Sequence, residues 1–308
     1  MYGSIMADTY GKVSGTFQQI TNIHGKVSGV WQEVDEGYAR VSGVWEQVFA
    51  AFVATSYVTL SSGSSTFVVP QGANALHIQA AVGGGGGAAG GADYDKAGGE
   101  SAGAGGGSGA YVSDKIFTVT EGETISYSIG SGGAAGNQTG NFKQPRIASA
   151  GTNSTLSGSS AGSLFTLTAG GGSSGTGGGV QGPLRTNTAG TAGSATISGT
   201  AITSGTYKDS LGVTQNVTGN TSGPTGTFNS SGNGAAGDLV GSGNCGGDNC
   251  SITGFDGGDS YAGNIAGATA GGTGTRGSGG GGGSATPSGT NGGVGGAGQI
   301  IYRFLRVN

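Results

Sequence analysis

The stretch Leu76–Gly91 reads LHIQAAVGGGGGAAGG. Its first half alternates as a β-strand does: Leu76, Ile78, Ala80 and Val82 fall on one face, His77, Gln79 and Ala81 on the other. Five glycines then follow without a break, although glycine is among the residues that stabilise strands least. A chain that builds half a strand and continues into glycine must have a use for backbone without side chains.

Composition narrows that use. Glycine supplies 75 of 308 residues, and with proline it makes up about a quarter of the chain, a level often found in disordered sequence. Only 9% of residues are charged and the net charge is −4, so the charge repulsion that keeps disordered chains soluble is missing. The 12 basic residues are scattered and outnumbered by 16 acidic ones, which argues against nucleic acid as a partner. The longest apolar run, Val48 to Ala54, is too short to span a bilayer. The start, MYGSIMADTYGK, lacks the charged-then-apolar pattern of a secretory signal, so synthesis in the cytosol without export by the ordinary secretory route is expected.

Upstream of the glycines lies a repeat of 14 residues: GKVSGTFQQITNIH (Gly11 to His24), GKVSGVWQEVDEGY (Gly25 to Tyr38) and ARVSGVWEQVFAAF (Ala39 to Phe52). Two helical heptads would also give this period, but a glycine in every unit and β-branched or aromatic neighbours disfavour helix. Ser-Gly between short apolar runs reads as a two-residue hairpin turn. That register sets Lys12 opposite Phe17, Lys26 opposite Trp31, and Arg40 opposite Trp45. Each pair is a cross-strand cation–π candidate worth roughly 0.5–1 kcal/mol. Hairpins this short need sibling chains or a partner surface. Residues 1–53 are therefore expected to be an attachment or oligomerisation segment, and 54–308 a glycine-rich body.

Conventional strands bracket that body. Ser65 to Val69, Leu76 to Val82, the two strands around Glu121-Gly-Glu123, and Ile300 to Phe304 suggest a sandwich-like base. Between them lie blocks such as AGGGSSGTGGG and RGSGGGGG. Collagen is excluded, because glycine does not recur at every third position and proline is rare. Extended left-handed polyproline-II-type segments would account for the glycines. Such segments make no internal hydrogen bonds, so packed ones must bond to one another, and a Cβ would intervene. The expected fold class is thus all-β with polyglycine-II helices: N-terminal hairpin repeats, a β-sandwich-like base and a glycine-rich helical bundle.

The run STFVVPQGANALHIQAAVGGGGG, then YVSDKIFTVTEGETISYSIGSGG, then GGVGGAGQIIY resembles the glycine-rich domain of phage tail proteins, over about Ser56 to Arg306. The spacing of Phe67, Pro70 and Gly72 ahead of the apolar strand carries much of the likeness. The glycine blocks are also similar to those of tail-fibre tip adhesins of T-even-like phages, which fold as a polyglycine-II sandwich. The resemblance implies a virion protein, mounted with other phage tail proteins on a trimeric fibre or as a homotrimer. It also implies a distal surface of loops between glycine blocks that binds a host-cell receptor, a polysaccharide or an outer-membrane protein.

Residues for chemistry are sparse, and no cofactor is expected. His24 occupies the repeat slot held by Tyr10, Tyr38 and Phe52, and reads as packing. His77 sits on a strand beside Gln79 with no serine partner indicated. Glu121 and Glu123 flank a turn and are expected to be solvated. Asp256 and Asp259 are similar to a calcium repeat in a single imperfect copy. A G-x-G-x-x-G match in the glycine run has no helix after it, so the dinucleotide reading fails. Cys245 and Cys250 enclose Gly-Gly-Asp-Asn and are disulfide candidates, with two free thiols as the alternative.

Surface recognition remains. The glycine-block loops hold Tyr94, Phe142, Arg146, Phe165, Tyr207, Phe228, Phe255 and Tyr261, and aromatic and arginine residues are common binding anchors. The longest non-glycine insertions, Asn141 to Gln144 and Tyr207 to Val217, are expected at the end far from the attachment segment. A glycine-rich ice-binding or structural filament protein is the rival class, but the irregular loops lack a repeated threonine or alanine face. An enzyme is disfavoured for want of a carboxylate cluster.

Overall fold

The computed structural model describes residues 52–87, 105–136, 146–170, 193–217 and 291–308, with residues 172, 190 and 191 and strand segments elsewhere. In the repeat region, β1 (Tyr10–Val13) pairs with β2 (Thr16–Gln19), β3 (Ile23–Val27) with β4 (Val30–Val34), and β5 (Glu36–Val41) with β6 (Val44–Ala50). The strand pairing has the expected register: Lys12 is opposite Phe17, Lys26 opposite Trp31 and Arg40 opposite Trp45.

The body opens with β7 (Val58–Leu60), β8 (Ser64–Val68) and β9 (Ala75–Val82). A small hairpin, β10 (Ala92–Tyr94) and β11 (Gly99–Ser101), precedes β12 (Tyr111–Thr118) and β13 (Thr124–Ser128). Then come β14 (Arg146–Ile147), β15 (Ser154–Gly158), β16 (Gly162–Leu167) and β17 (Ser174–Gly175). The last are β18 (Asn187–Thr188), β19 (Ala195–Ile197), β20 (Thr206–Lys208), β21 (Thr214–Asn216) and β22 (Gln299–Leu305).

Two antiparallel sheets make the base. One has the order β12-β9-β22-β7, the other β19-β16-β15-β13-β8. Alternate residues of each face the other sheet, so Leu76, Ile78, Phe117, Ile300, Ile125, Leu156, Phe165 and Leu167 close one buried core. Phe67 and Tyr302 stack across it, centroids 4.4 Å apart. Phe165, expected in a loop, lies on β16 and is fully buried. The alternation of β9 does not run unbroken to Val82. Ala80 pairs with Ile301 but Ile78 with Tyr302, which leaves Gln79 as a bulge. The phase shifts there, and Ala81 joins the core instead of Ala80.

Glu123 also departs from expectation. Its carboxylate is buried and accepts from the backbone N–H groups of Thr120, Ser160 and Ala161, joining the β12–β13 turn to the β15–β16 turn. Burial alone would raise its pKa, but these three donors hold it below the ordinary value. Glu121 is exposed and accepts from the N–H of Gly72.

The glycine-rich helical bundle is not what forms: the described residues contain strands, turns and extended segments, and no helix. The glycines instead prolong the sandwich strands at one end, after β9, β13 and β16 and before β12, β15 and β22. Side chains keep packed sheets about 10 Å apart. Where the side chains stop, the two layers close until their backbones hydrogen-bond directly. Gly83 N–H donates to Ala110 O within its own sheet (2.8 Å), Gly84 N–H crosses to Thr152 O (3.1 Å), and Gly85 N–H returns to Gly296 O (2.8 Å). The cycle repeats, Gly86 to Gly107 and Gly87 to Ser149. Further crossings run from Gly133 to Gly85, Gly170 to Gly84, Gly193 to Ser108 and Gly298 to Gly130. A Cβ on Gly84 would fall on the carbonyl oxygen of Ser131, and one on Gly109 on that of Gly83. The expectation of close backbone approach thus holds while the helical bundle does not.

Candidate functional site

The ends of the body differ. Residues 52–57 enter at the end away from the glycines, where Thr55 N–H donates to Phe304 O. The β20–β21 hairpin docks at the same end: Ala54 N–H donates to Lys208 O, and Thr206 N–H to Asn308 O. Its Val217 and Tyr207 pack with Ala54, Ala75, Ile116 and Leu305 on the outer face of the four-stranded sheet.

A row of side chains crosses that face beside the hairpin. His77 on β9 is directly opposite both Ile116 on β12 and Arg303 on β22. Tyr57, just before β7, lies next to Arg303. The Arg303 Cζ is 4.5 Å from the Tyr57 ring centroid and 5.5 Å from that of Tyr207. Arg303 Nε donates to His77 Nδ1 (3.3 Å) and Nη2 donates to the Tyr207 hydroxyl (3.2 Å). The Tyr57 hydroxyl is 3.3 Å from the same His77 Nδ1.

These contacts assign the proton. A guanidinium N–H can only donate, so His77 Nδ1 accepts and the proton of the neutral ring sits on Nε2. That nitrogen faces Asp114 Oδ1 at 3.6 Å. Burial, and secondly the charge of Arg303, push the His77 pKa below its ordinary value, only partly countered by Asp114. Burial likewise raises the Tyr57 pKa, which keeps its hydroxyl protonated and able to donate. Asp114 has a φ of +48°, an uncommon conformation for a residue other than glycine. It stands near the Gln79 bulge, so two backbone irregularities adjoin the His77 ring. Bulges often re-aim side chains at functional positions.

The described body runs from β7 to β22, and the model of a glycine-rich domain family matches residues 59–305. The chain belongs to that glycine-rich domain family. None of the curated proteins compared with it matches.

Within this glycine-rich domain, the anchors expected from sequence separate into three groups. Tyr207 belongs to the cluster just described, at the end where the chain enters, and not at the far end as expected for Tyr207 to Val217. The tip of its hairpin is open, with Leu211 86% exposed. Tyr94 ends β10 opposite Gly99, and Arg146 begins β14 opposite Gly175. Their connections leave and re-enter the body at its glycine end, next to Gly87 and Gly136. Phe142, Phe228, Phe255 and Tyr261, with Cys245, Cys250, Asp256 and Asp259, lie outside the described residues. Among the described residues no group of three His, Cys, Asp or Glu side chains could hold a metal ion. Nor is any described helix long and apolar enough to cross a membrane. Sequence reasoning passed over Tyr57, Asp114 and Arg303. The signal available was strand parity, since Arg303 is the polar residue between the core positions Tyr302 and Phe304.

Proposed function

We propose that this protein is a structural component of a phage tail fibre or tail tip that binds the host cell surface. The observation that carries the reading is the direct backbone union of the two sheets at the glycine end. Layers joined by crossing hydrogen bonds cannot slide as side-chain contacts can. They make a rigid platform from which the connections 88–104 and 137–145 leave and return. Tyr94, Phe142 and Arg146 belong to those connections or their margins, and rigidly mounted aromatic and arginine residues bind at low entropic cost. The chain that follows the repeats enters the body through residues 52–57 at the opposite end, the geometry of a module mounted at one end and binding at the other. In this reading residues 1–53 contact other tail proteins or sibling chains of a trimer, and the protein resides in the virion after synthesis in the host cytoplasm. Resemblance of the Phe67–Gly72 and glycine-block patterns to phage tail proteins supports the same reading.

Adsorption of purified protein to host cells tests it. Arg146→Ala together with Tyr94→Ala should weaken adsorption by about tenfold or more, with melting unchanged. Deletion of 1–53 should lower the oligomeric state. Wild-type adsorption by the loop variant would refute the assignment of the binding end.

A further inference from the structure

The Arg303 cluster has more hydrogen-bond donors than acceptors. Nε and one N–H of Nη2 are used, by His77 and Tyr207. The guanidinium also hydrogen-bonds the Tyr57 side chain, which leaves two of its five N–H groups with no hydrogen bond among the described residues. The Tyr207 hydroxyl accepts from Arg303, so its own proton remains to be donated. No carboxylate of the described residues lies within ion-pair distance of the guanidinium. Asp114 faces His77, and Asp209 is engaged by the N–H groups of Leu211 and Val213 and by Gln215 Nε2. The cation is half-buried and flanked by two tyrosine rings, so it is partly stripped of water, and the Asp209 carboxylate acts on it only from beyond ion-pair distance.

We infer that this cluster binds the carboxylate of an acidic saccharide, with Arg303 and the Tyr207 hydroxyl as donors and the rings of Tyr57 and Tyr207 against the sugar. A planar guanidinium edge matches a carboxylate through two parallel N–H bonds, which a lysine cannot reproduce. Tyrosine rings offer apolar faces with a polar tip, suited to a ligand that is both C–H-rich and hydroxylated. A neutral His77 fixes the guanidinium by accepting at Nδ1, so the unused donors are preset before ligand arrives. The inference rests on the surface-recognition reading and gives it a second contact, distant from the glycine-end loops.

Calorimetric titration of the full chain tests it, with trigalacturonate, neutral trigalactose and triglutamate as probes. Trigalacturonate should bind at least tenfold more tightly than either of the others. Arg303→Lys should cost tenfold or more, and Tyr207→Phe, which keeps the ring, severalfold. Should Arg303→Lys fail to fold, Tyr207→Phe decides by itself. Equal binding of trigalactose, equal binding of triglutamate, no binding of trigalacturonate, or unchanged affinity in Tyr207→Phe would each overturn the inference. Host-cell adsorption measured on the same variants separates the two proposals. Adsorption that persists without trigalacturonate binding refutes only this site, whereas wild-type protein that fails to adsorb refutes the broader reading.

Discussion

Gly84→Ala should destabilise the body out of proportion to one methyl group. The new Cβ would coincide with the carbonyl oxygen of Ser131, which belongs to the opposite sheet and is backbone, so no rotamer change can relieve the contact. The layers must part by about an ångström or more. That strains the Gly84–Thr152 and Gly170–Gly84 hydrogen bonds, at 3.1 and 2.9 Å, on either side of the substituted residue. Overpacking costs about 1–3 kcal/mol, and each buried backbone group left unpaired about 1–3 kcal/mol. Reduced entropy of the unfolded chain returns less than about 1 kcal/mol. A net loss of about 3–4 kcal/mol remains, a fall of about 10 °C in Tm for a body of this size. Gly63→Ala is the control. Its φ is +77° and nothing lies within 4 Å of the new Cβ, so only the conformational cost of about 1 kcal/mol applies. Differential scanning calorimetry of both variants checks the argument. A Gly84→Ala Tm within a degree of wild type, or no lower than that of Gly63→Ala, would refute the direct union of the layers.

Other outcomes follow from the buried polar groups. Glu123→Gln should cost about 1–3 kcal/mol in chemical denaturation, because a charged acceptor of three N–H bonds becomes a neutral one. The carboxyl is held below its unfolded pKa, so its stabilisation is full above the unfolded value of about 4.3 and is lost as pH falls through the folded one. The Gln variant should show a shallower acid transition, and parallel curves would count against it. His77 is faced by Tyr57, Asp114, Arg303 and Ile116, and its folded pKa is depressed. Its linkage therefore leaves stability unaffected above about pH 6.5 and lowers it as pH drops from there towards the folded value. Thermal melts of His77→Phe between pH 7 and 5 should be flatter than wild type. At Asp114, where φ is positive, Ala should be less stable than Gly by about 1 kcal/mol, and the reverse order would contradict the backbone assignment.

Local rules carried much of the fold. Reading Ser-Gly as a two-residue hairpin loop predicts the Lys12–Phe17, Lys26–Trp31 and Arg40–Trp45 registers that form, because such a loop leaves one pairing for its flanking residues. Apolar alternation located β9 and β22 to within a residue or two. The Gln79 bulge was not legible, since it arises from accommodating β12 and β22 on opposite sides of one strand. The glycine runs announced close backbone approach but not its form. Whether extended glycine gathers in a separate bundle or prolongs existing strands depends on which segments meet, and that is long-range information. For the same reason the Arg303 cluster was hidden: Tyr57, His77, Asp114, Tyr207 and Arg303 lie far apart along the chain and meet only when the sheet closes. Glu123 was misread because a turn carboxylate is ordinarily solvated, and its donors Ser160 and Ala161 belong to another turn.

The position of β22 bears on how the molecule comes into being. It lies between β9 and β7, and Val82 on β9 is paired with Gln299 on β22, about 200 residues later. Until that late strand arrives, β9 lacks its partner on that side, and the inner faces of Leu76 and Ile78 lack the cover of Tyr302 and Phe304. An emerging chain must therefore carry an incomplete sheet through most of its synthesis, with an unpaired strand edge open to its neighbours. Yield should depend on how fast the ribosome reaches residue 305 and on how crowded nascent chains are, more than on final stability. Coexpression with a chaperone, or slower growth at low temperature, acts on that interval.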